Sequence, residues 1–386
     1  MSALLKIALF YQSLISDWNH GNAHFLRGVA SELVSRGHDV TVYEPIDSWC
    51  MQNLIREEGK GAVLRFKYVF AHLKSVRYDL NTLHLEKELS DKDVVIVHEW
   101  NSHELVRRIG ELRPYFKRMR LLFHDTHHRL LTKSREMEAY DLSDYDGVLA
   151  FGKVLRDMYL EKKLAKKAWT WHEAADVRIF RPIENSMKEG DVIWIGNWGD
   201  EERTREIEEY FINPVNELKL RARVHGVRYP AHALQRLGEA GIEYAGWVAN
   251  YEVPDVFSRF RCTVHIPRGP YARSLPGIPT IRPFEAMACG IPLISAPWED
   301  REGLFTEGKD YLLARDGKEM KAHLKSVLKD EELARSLSLN GRRTILGKHT
   351  CAHRVDELFS FLREPGMYID ENNAAAGFSL RSYGNA

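Results

Sequence analysis

The sequence predicts an α/β protein in which parallel sheets carry helices on both faces. Short apolar runs typical of buried strands alternate along the chain with longer segments typical of helices. The 386 residues exceed what one hydrophobic core usually supports, and a hydrophobic content of 44% is enough for two cores. The alternation becomes irregular around Trp169–Pro182 and restarts at Val192–Ile195, so we expect a domain boundary near Arg181–Gly190.

The N-terminal half begins with a predicted strand at Lys6–Tyr11, followed by a loop that contains Gly21. A helix is predicted from about Ala23 to Arg36, and Gly37 ends it. The next predicted strands of this half are, in order, Asp39–Tyr43, Val94–His98, Leu121–His124 and Val148–Phe151.

The C-terminal half continues the same alternation. The Pro/Gly-rich loop Leu275–Pro279 leads into a short helix, Pro283–Cys289, which Gly290 ends. Beyond Pro365 the chain is rich in Asn, Ala, Gly and Ser, which predicts a disordered tail. The predicted strands of this half are Val192–Ile195, Val224–Val227, Ile242–Ala245, Thr263–Ile266 and Leu293–Ser295.

Composition argues against several classes of protein. Basic and acidic residues number 55 each, and a formal charge of zero argues against a general nucleic-acid binder. No apolar run approaches the roughly eighteen residues of a membrane span, and the first ten residues lack a signal-peptide cleavage site. The four cysteines lie far apart without a Cys-x-x-Cys pair, which indicates buried thiols in a reducing compartment. We therefore expect a cytoplasmic protein without an integral membrane segment.

The segment 275–312 carries most of the functional information. Its loop feeds the N-terminus of the helix at Pro283–Cys289, where unpaired backbone N–H groups and the positive end of the helix dipole suit a diphosphate. Glu285, in the first turn, is placed to accept two hydrogen bonds from a ribose diol. The simpler alternative is an ordinary helix start whose glutamate is favoured by the dipole.

This segment resembles the C-terminal half of GT-B glycosyltransferases of the family 4 type, and most closely the CgeB-like branch. The branch carries Arg-x-Phe-Glu-Ala-x-Ala-Cys-Gly, found here at 282–290, followed by Leu-Phe-x-x-Gly-x-Asp-Tyr-Leu, found here at 304–312. The resemblance covers roughly residues 5–362 and implies two Rossmann-like domains facing each other across a cleft. It implies an acceptor-side domain at 1–182, a donor-side domain at 183–350, and a helix at 351–365 that packs back on the first domain, before the tail at 366–386.

The resemblance implies transfer of a sugar from a UDP- or GDP-linked donor to an acceptor hydroxyl. It implies that no metal or other cofactor is required and that the anomeric configuration is retained. The acceptor class stays open between a polysaccharide, a lipid-linked glycan and a small glycan. Two other functions also stay open: a catalytically silent GT-B protein that binds nucleotide or serves as a scaffold, and glycosylation of a modified nucleic-acid base, against which the neutral charge argues.

The resemblance also implies roles for residues at strand ends of the N-terminal half. Gly21 would lie beside the donor diphosphate, although it is also interpretable as a plain loop glycine. His98 would lie on the acceptor side, and His124 would contact the transferred sugar. Asp125 would orient His124 or contact the acceptor hydroxyl, with a buried structural pair as the alternative. The histidine-rich run at 124–128 leaves a metal site as a less favoured interpretation.

Further site residues are implied in the C-terminal half. Arg203 matches the Glu-Arg of the CgeB-like branch and would bind the diphosphate, although Arg205 stands close by. Trp247 and Val248 would hold the nucleobase, with packing beneath the loop as the alternative for the tryptophan. The remaining implied donor-site residues are those at the start of the signature helix, namely Thr280, Ile281, Arg282 and Glu285.

The chain departs from the family pattern at two places. Family 4 enzymes carry a second glutamate eight positions before the one at Glu285, and here that position is Gly277. In the broader family this glutamate lies near the transferred sugar, so the local arrangement must differ. The family's Asn-Gly-Val-Asp linker is replaced by Glu173-Ala-Ala-Asp176, for which a hinge role is the first interpretation and a substrate-facing Glu173 the second.

Overall fold

Two parallel β-sheets form the frame of the molecule. The computed structural model describes residues 4–184, 187–199 and 201–364, and the predicted tail at 366–386 lies outside the described residues. The strands of the first sheet are β1 (Lys6–Phe10), β2 (Asp39–Pro45), β3 (Lys74–Tyr78), β4 (Val94–His98), β5 (Arg120–Asp125), β6 (Gly147–Ala150) and β7 (Ala168–Thr170). They lie in the order β3-β2-β1-β4-β5-β6-β7, and neighbouring strands are parallel.

The second sheet repeats this pattern. Its strands are β8 (Gly190–Ile195), β9 (Ala222–His225), β10 (Glu243–Tyr244), β11 (Phe260–His265), β12 (Leu293–Ser295) and β13 (Leu312–Leu313). They lie in the order β10-β9-β8-β11-β12-β13 and are also parallel. Both orders reverse at the first strand of the sheet, since β1 lies between β2 and β4 and β8 lies between β9 and β11. In open α/β sheets, ligands bind beyond the carboxyl ends of the strands at such a reversal.

The helices connect successive strands and cover the sheets. In the first half they are α1 (Ala23–Ser35), α2 (Trp49–Glu58), α3 (Lys60–Val69), α4 (Leu85–Leu89), α5 (His103–Leu112), α6 (Arg129–Thr132), α7 (Ser134–Glu138) and α8 (Lys153–Glu161). In the second half they are α9 (Thr204–Ile207), α10 (Asn213–Leu218), α11 (Ala231–Glu239), α12 (Val253–Ser258), α13 (Gly269–Arg273), α14 (Ile281–Cys289), α15 (Gly317–Lys329), α16 (Glu331–Lys348) and α17 (Cys351–Leu362). Across the described ranges, no helix combines the length and apolarity needed to cross a bilayer.

Both faces of the first sheet are buried, which explains why its central strands are continuous apolar runs. Along β1, Ile7 and Leu9 point into one apolar cluster, and Ala8 and Phe10 point into another. This alternation follows from the two-residue period of a strand, and burial on both faces is the rule for parallel sheets. The predicted α/β class is therefore confirmed.

Three strands were not predicted. β3 and β13 are edge strands whose residues are largely half-exposed or exposed, so they lack an apolar run. The segment from Trp169 was predicted to be irregular, and this is wrong at its first residues because the short edge strand β7 occupies 168–170. Its pairing with β6 determines its conformation, and a three-residue strand leaves no periodic pattern in the sequence.

Helix α17 follows the second sheet in the chain but packs on α1 of the first half. The guanidinium of Arg36 donates to the carbonyl oxygen of Ala352 at 3.0 Å and pairs with Asp356. The helices meet closely at Gly28, where a Cβ atom would lie 2.5 Å from the Sγ of Cys351. Any larger residue at this position would have to displace the side chains of Cys351 and Asp176.

Candidate active site

The loops at the carboxyl ends of the two sheets meet one another. After β1, Asn19 accepts a hydrogen bond from the side chain of Asn197, which follows β8, at 2.6 Å. Gly21 lies against Ile281, the first residue of α14, so closely that a Cβ atom added to the glycine would lie 3.8 Å from the isoleucine Cγ2. The reversal points of both sheets therefore open onto the same space, which is the place expected for a ligand.

A carboxylate of the first half fastens the loop after β10. Asp17 accepts hydrogen bonds from the indole Nε1 of Trp247 at 3.0 Å and from the backbone N–H of Asn250 at 2.9 Å, and it pairs with Arg27. Trp247 thus contacts the other half of the molecule, and Val248 beside it is half-buried against the apolar core. A nucleobase role for these two residues stays a prediction.

The N-terminus of α14 has an unusual backbone conformation. Thr280 precedes the helix with φ 62° and ψ 179°, a region that residues other than glycine rarely occupy. Its side chain makes no capping hydrogen bond, so the first N–H groups of the helix have no side-chain acceptor at this position. Strained backbone of this kind concentrates at ligand sites, and here it lies beside Gly21.

A cationic cluster lies near this helix start. Arg203 donates to the carbonyl oxygens of Ile266 at 2.6 Å and Asn197 at 2.5 Å, while its Nε is shielded from solvent and has no hydrogen-bond partner within the described residues. Burial, together with the nearby Arg268 and Arg282, lowers the pKa of Arg203 to about 9. Arg268 pairs with Glu202 and Arg282 pairs with Glu285. Arg203 has no carboxylate within ion-pair distance in the described chain, so an anion would complete its environment. Arg205, the other candidate, is exposed.

Glu285 is fully buried and joins α14 to α1. One carboxylate oxygen accepts hydrogen bonds from His24 Nδ1 and the Asn250 side chain, both at 2.9 Å, and the other pairs with Arg282. His24 Nε2 accepts from the backbone N–H of Asp176 at 2.8 Å, which assigns the proton to Nδ1. Burial opposes ionisation of Glu285, but Arg282 and His24 outweigh it and hold the pKa below its ordinary value. A ribose at Glu285 would exchange with one of these donors, and this role stays a prediction.

His124, the penultimate residue of β5, lies in an apolar and neutral environment. Its ring packs edge-on against Trp171, with 4.8 Å between the ring centroids, and lies 5.4 Å from the ring of His98. The side chain is 1% exposed, and neither ring nitrogen has a hydrogen-bond partner within the described residues. Burial lowers the pKa of His124 to about 3, so the imidazole is neutral at physiological pH.

Asp125 and His98 differ in their hydrogen bonding: the Asp125 carboxylate is bonded at both oxygens, whereas His98 keeps one ring nitrogen without a partner in the described chain. Asp125 accepts from the hydroxyl of Tyr159 of α8 at 2.8 Å and from the backbone N–H of His127 at 3.0 Å, and within the described residues it makes no hydrogen bond to His124. His98 Nε2 contacts the hydroxyl of Thr126 at 2.9 Å, whereas its Nδ1 is buried without a partner in the part of the chain that is described. The structure brings His98 close to His124 but binds Asp125 to α8 and to the backbone of His127.

Two histidines of the run at 124–128 contact each other, whereas the ring of His124 contacts those of His98 and Trp171. The rings of His127 and His128 are tilted by 38° with 4.0 Å between centroids, and His128 Nδ1 contacts the hydroxyl of Thr132 at 2.9 Å. Within residues 4–184, 187–199 and 201–364, no three His, Cys, Asp or Glu side chains are grouped so as to hold a metal ion.

Glu302, which sequence reasoning missed, brings a carboxylate to the position of the missing glutamate. Gly277 has φ 94°, and a Cβ atom there would lie 2.8 Å from both Cγ and Oε1 of Glu302. The Glu302 carboxylate accepts from the backbone N–H of Lys153 at 2.7 Å and contacts His172 Nε2 at 2.9 Å. These partners lie 149 and 130 positions away in the chain, so no local signal identifies them.

Substitution of Gly277 by alanine is expected to destabilise the fold by about 1–3 kcal/mol, because alanine resists a positive φ and its Cβ overlaps Glu302. Gly303→Ala is the matched control, since Gly303 also has a positive φ of 65° but has open space around it. We expect the control to lose only the backbone contribution, about 1 kcal/mol. Urea unfolding of both variants measures the difference, and equal losses would contradict the overlap.

Comparison with known proteins supports the architecture. Residues 203–360 match the model of a family described as glycosyl transferase-like. No curated protein matches the chain by sequence. The structure of Anabaena HepE in complex with UDP and glucose is similar with a TM-score of 0.64 and 13% identity, over 93% of this chain and 100% of HepE.

Two further structures are similar over the same extent. An α-glucosyltransferase in complex with UDP and a 13-mer DNA containing an HMU base gives a TM-score of 0.64 at 13% identity, over 94% of this chain and 100% of the other. T4 phage BGT in complex with UDP and Mn²⁺ gives 0.58 at 11% identity, over 93% and 99%. The chain therefore has the GT-B fold of glycosyltransferases, and the predicted fold is confirmed.

Proposed function

We propose that this chain is a glycosyltransferase that moves a sugar from a nucleoside diphosphate donor to an acceptor hydroxyl. The main support is the environment of Arg203. Its guanidinium has no carboxylate partner in the described chain and lies close to Arg282, at the start of α14, where no side chain caps the helix. The departing diphosphate is the anion that this cluster would stabilise, together with the amides near Ile281 and the backbone at Gly21. The matched family model over 203–360 supports the same reaction class.

The proposed donor is a UDP-linked sugar, with a GDP-linked sugar as the comparison. UDP is present in the similar structures of HepE, the α-glucosyltransferase and BGT. In the proposed reaction the bond between the anomeric carbon and the diphosphate oxygen breaks, and the acceptor oxygen bonds to that carbon with retention. The acceptor proton passes to the departing diphosphate. His124 contacts the sugar as a neutral hydrogen-bonding group, since a pKa of about 3 makes it a poor base at neutral pH.

We assign residues 1–182 to the acceptor side, 183–350 to the donor side and 351–365 to a helix that returns to the first domain. The proposed acceptor is a hydroxyl of a glycan, free or lipid-linked. A modified nucleic-acid base is not favoured, because equal numbers of basic and acidic residues provide no charge excess for a phosphate backbone. We place the reaction in the cytoplasm, which the buried free thiols of Cys50, Cys262, Cys289 and Cys351 support.

Calorimetry with UDP and GDP tests donor binding, and hydrolysis or transfer of UDP-glucose tests turnover. We expect UDP to bind and turnover to persist in EDTA, because arginines and helix amides take the place of a cation at the diphosphate. Because the BGT structure contains Mn²⁺, turnover with and without EDTA is the measurement that decides whether this protein needs a metal. Loss of turnover in EDTA would contradict the metal-free mechanism, and nucleotide binding without turnover would favour the catalytically silent alternative.

A further inference from the structure

The segment at 171–176, which links the two halves, is fastened at nearly every residue. Trp171 donates from its backbone N–H to Ala150 at 2.7 Å and from Nε1 to the carbonyl of Arg354 at 2.8 Å. His172 contacts the carbonyl of Phe151 at 3.0 Å through Nδ1 and Glu302 through Nε2. The start of the segment 171–176 is therefore held by residues of the first half, of α17 and of the second half.

The other end of the segment is equally fixed. Ala175 donates to the carbonyl of His349 and accepts from the N–H of Cys351, both at 3.0 Å. The N–H of Asp176 donates to His24. Glu173 lies between these two anchored stretches, so its side chain projects from a backbone with little freedom.

The side chain of Glu173, unlike the other polar side chains of the segment 171–176, makes no hydrogen bond within the described chain. The residue is 2% exposed, and both carboxyl oxygens are shielded from solvent and lack a hydrogen-bond partner in the described chain. Neighbouring carboxyl groups are satisfied: Asp125 by Tyr159 and a backbone N–H, Glu285 by His24, Asn250 and Arg282, and Glu302 by Lys153 and His172. A buried unsatisfied carboxyl group destabilises a fold, so its presence calls for a ligand that completes it.

The surroundings of Glu173 place it at the proposed donor site. Burial raises its pKa well above the ordinary value, Glu285 raises it further and Arg282 acts in the opposite direction. Burial and Glu173 in turn raise the pKa of Tyr271, on α13. Geometry agrees with this placement, because Glu173 follows His172, whose Nε2 contacts Glu302 at 2.9 Å, and Glu302 lies against Gly277 in the loop before α14.

We propose that the Glu173 carboxyl group binds hydroxyls of the transferred sugar, donating one hydrogen bond and accepting another. This inference rests on the proposed function and adds the residue that distinguishes a nucleotide sugar from the bare nucleotide. A neutral carboxyl group offers no attraction to a diphosphate, and an ionised one would repel it. Sugar hydroxyls both donate and accept, which matches what the two oxygens of Glu173 lack.

Glu173→Met tests the inference, because methionine fills a similar volume without polar atoms. Calorimetry compares UDP-glucose with UDP, and GDP-mannose with GDP as a second pair. We expect the substitution to weaken binding of the nucleotide sugar about tenfold and to leave the bare nucleotide within about twofold of wild type. Glu173→Gln retains one donor and one acceptor and should keep most of the sugar-dependent affinity.

Stability of the ligand-free protein provides a second readout. Glu173→Met removes an unsatisfied buried carboxyl group, so its Tm should rise. Glu44→Met is the matched control: Glu44 is also buried, but it accepts from the backbone N–H groups of Leu14 at 3.0 Å and Ile15 at 3.4 Å. Its replacement strands these donors and should lower the Tm.

The pH dependence of the Tm difference separates a titrating carboxyl group from a packing effect. The pKa of Glu173 in the folded state is raised above 4.5, with Glu285, Arg282 and Tyr271 as the ionisable groups around it. Above pH 4.5 the unfolded chain has released a proton that the folded chain keeps, so this residue costs more stability as pH rises. The Tm advantage of Glu173→Met should therefore grow as the pH rises above about 4.5.

The outcomes separate this inference from the proposed function. If wild type binds neither nucleotide pair, the proposed function fails and the inference fails with it. Suppose that wild type binds the nucleotide sugar. If Glu173→Met then weakens binding of the nucleotide sugar and of the bare nucleotide equally, or weakens neither, the proposed function stands and the inference is overturned. A Glu173→Met protein that unfolds or loses Tm shows a structural role for the carboxyl group and also overturns it.

Discussion

Replacement of His124 by alanine is expected to slow sugar transfer about a hundredfold while free UDP binds within about twofold of wild-type affinity. The reason is its position: the imidazole lies near the end of β5, beside His98 and Trp171, with both nitrogens unpartnered in the described chain. A hydrogen bond that strengthens only as the sugar reacts affects turnover and leaves nucleotide binding unchanged.

Kinetics with UDP-glucose and calorimetry with UDP measure the two quantities. His128→Ala is the control from the same histidine-rich run, because His128 contacts Thr132 and should leave turnover nearly unchanged. Since burial lowers the pKa of His124 to about 3, the ratio of wild-type to variant rates should be flat between about pH 5.5 and pH 7.5. An equal loss of UDP affinity, or full turnover in the variant, would remove His124 from the sugar site.

Glu285→Gln is expected to have the second large effect, on both stability and nucleotide binding. The substitution removes the charge that Arg282 pairs with, and breaking a buried ion pair costs about 3–5 kcal/mol. If the carboxylate also holds the donor ribose, affinity for UDP should fall by about tenfold to a hundredfold. If the substitution only destabilises the fold, affinity should fall equally for nucleotides with and without the ribose 2′-hydroxyl.

Comparison of UDP with 2′-deoxy-UDP separates these effects. Wild type should prefer the ribonucleotide, and Glu285→Gln should lose the preference even if its overall affinity has changed. Glu206→Gln is the control, since Glu206 forms a more exposed pair with Arg273 whose loss is worth at most about 1 kcal/mol. A preference that survives in Glu285→Gln would leave this carboxylate with the purely structural role of joining α14 to His24.

Sequence patterns predicted the parts of the fold that are governed by local burial. The strands β1, β4 and β5 are almost wholly buried, so each appears as an apolar run. By contrast, β3 is largely half-exposed or exposed and is defined by pairing with β2, as between Lys74 and Thr41. Such pairing depends on where distant segments meet, which a local pattern does not encode.

The candidate site divides in the same way. Thr280 to Glu285 are close in sequence, so one motif indicates all of them together. The contact of Glu285 with His24 joins residues 261 positions apart, and the contact of Glu302 with His172 joins residues 130 apart. The lack of hydrogen-bond partners at Glu173 is likewise visible only in the folded structure, because it depends on which distant groups lie near the carboxyl group.

The return of α17 to the first half bears on how the protein is synthesised. Val355, Leu358 and Leu362 of α17 share an apolar cluster with Phe25 and Val29 of α1, and Gly28 of α1 meets Cys351 directly. A ribosome adds residues from the N-terminus, so α1 emerges more than 300 residues before the helix that covers it. The first half therefore exposes an apolar face throughout elongation and completes its core only when the C-terminal helix leaves the exit tunnel.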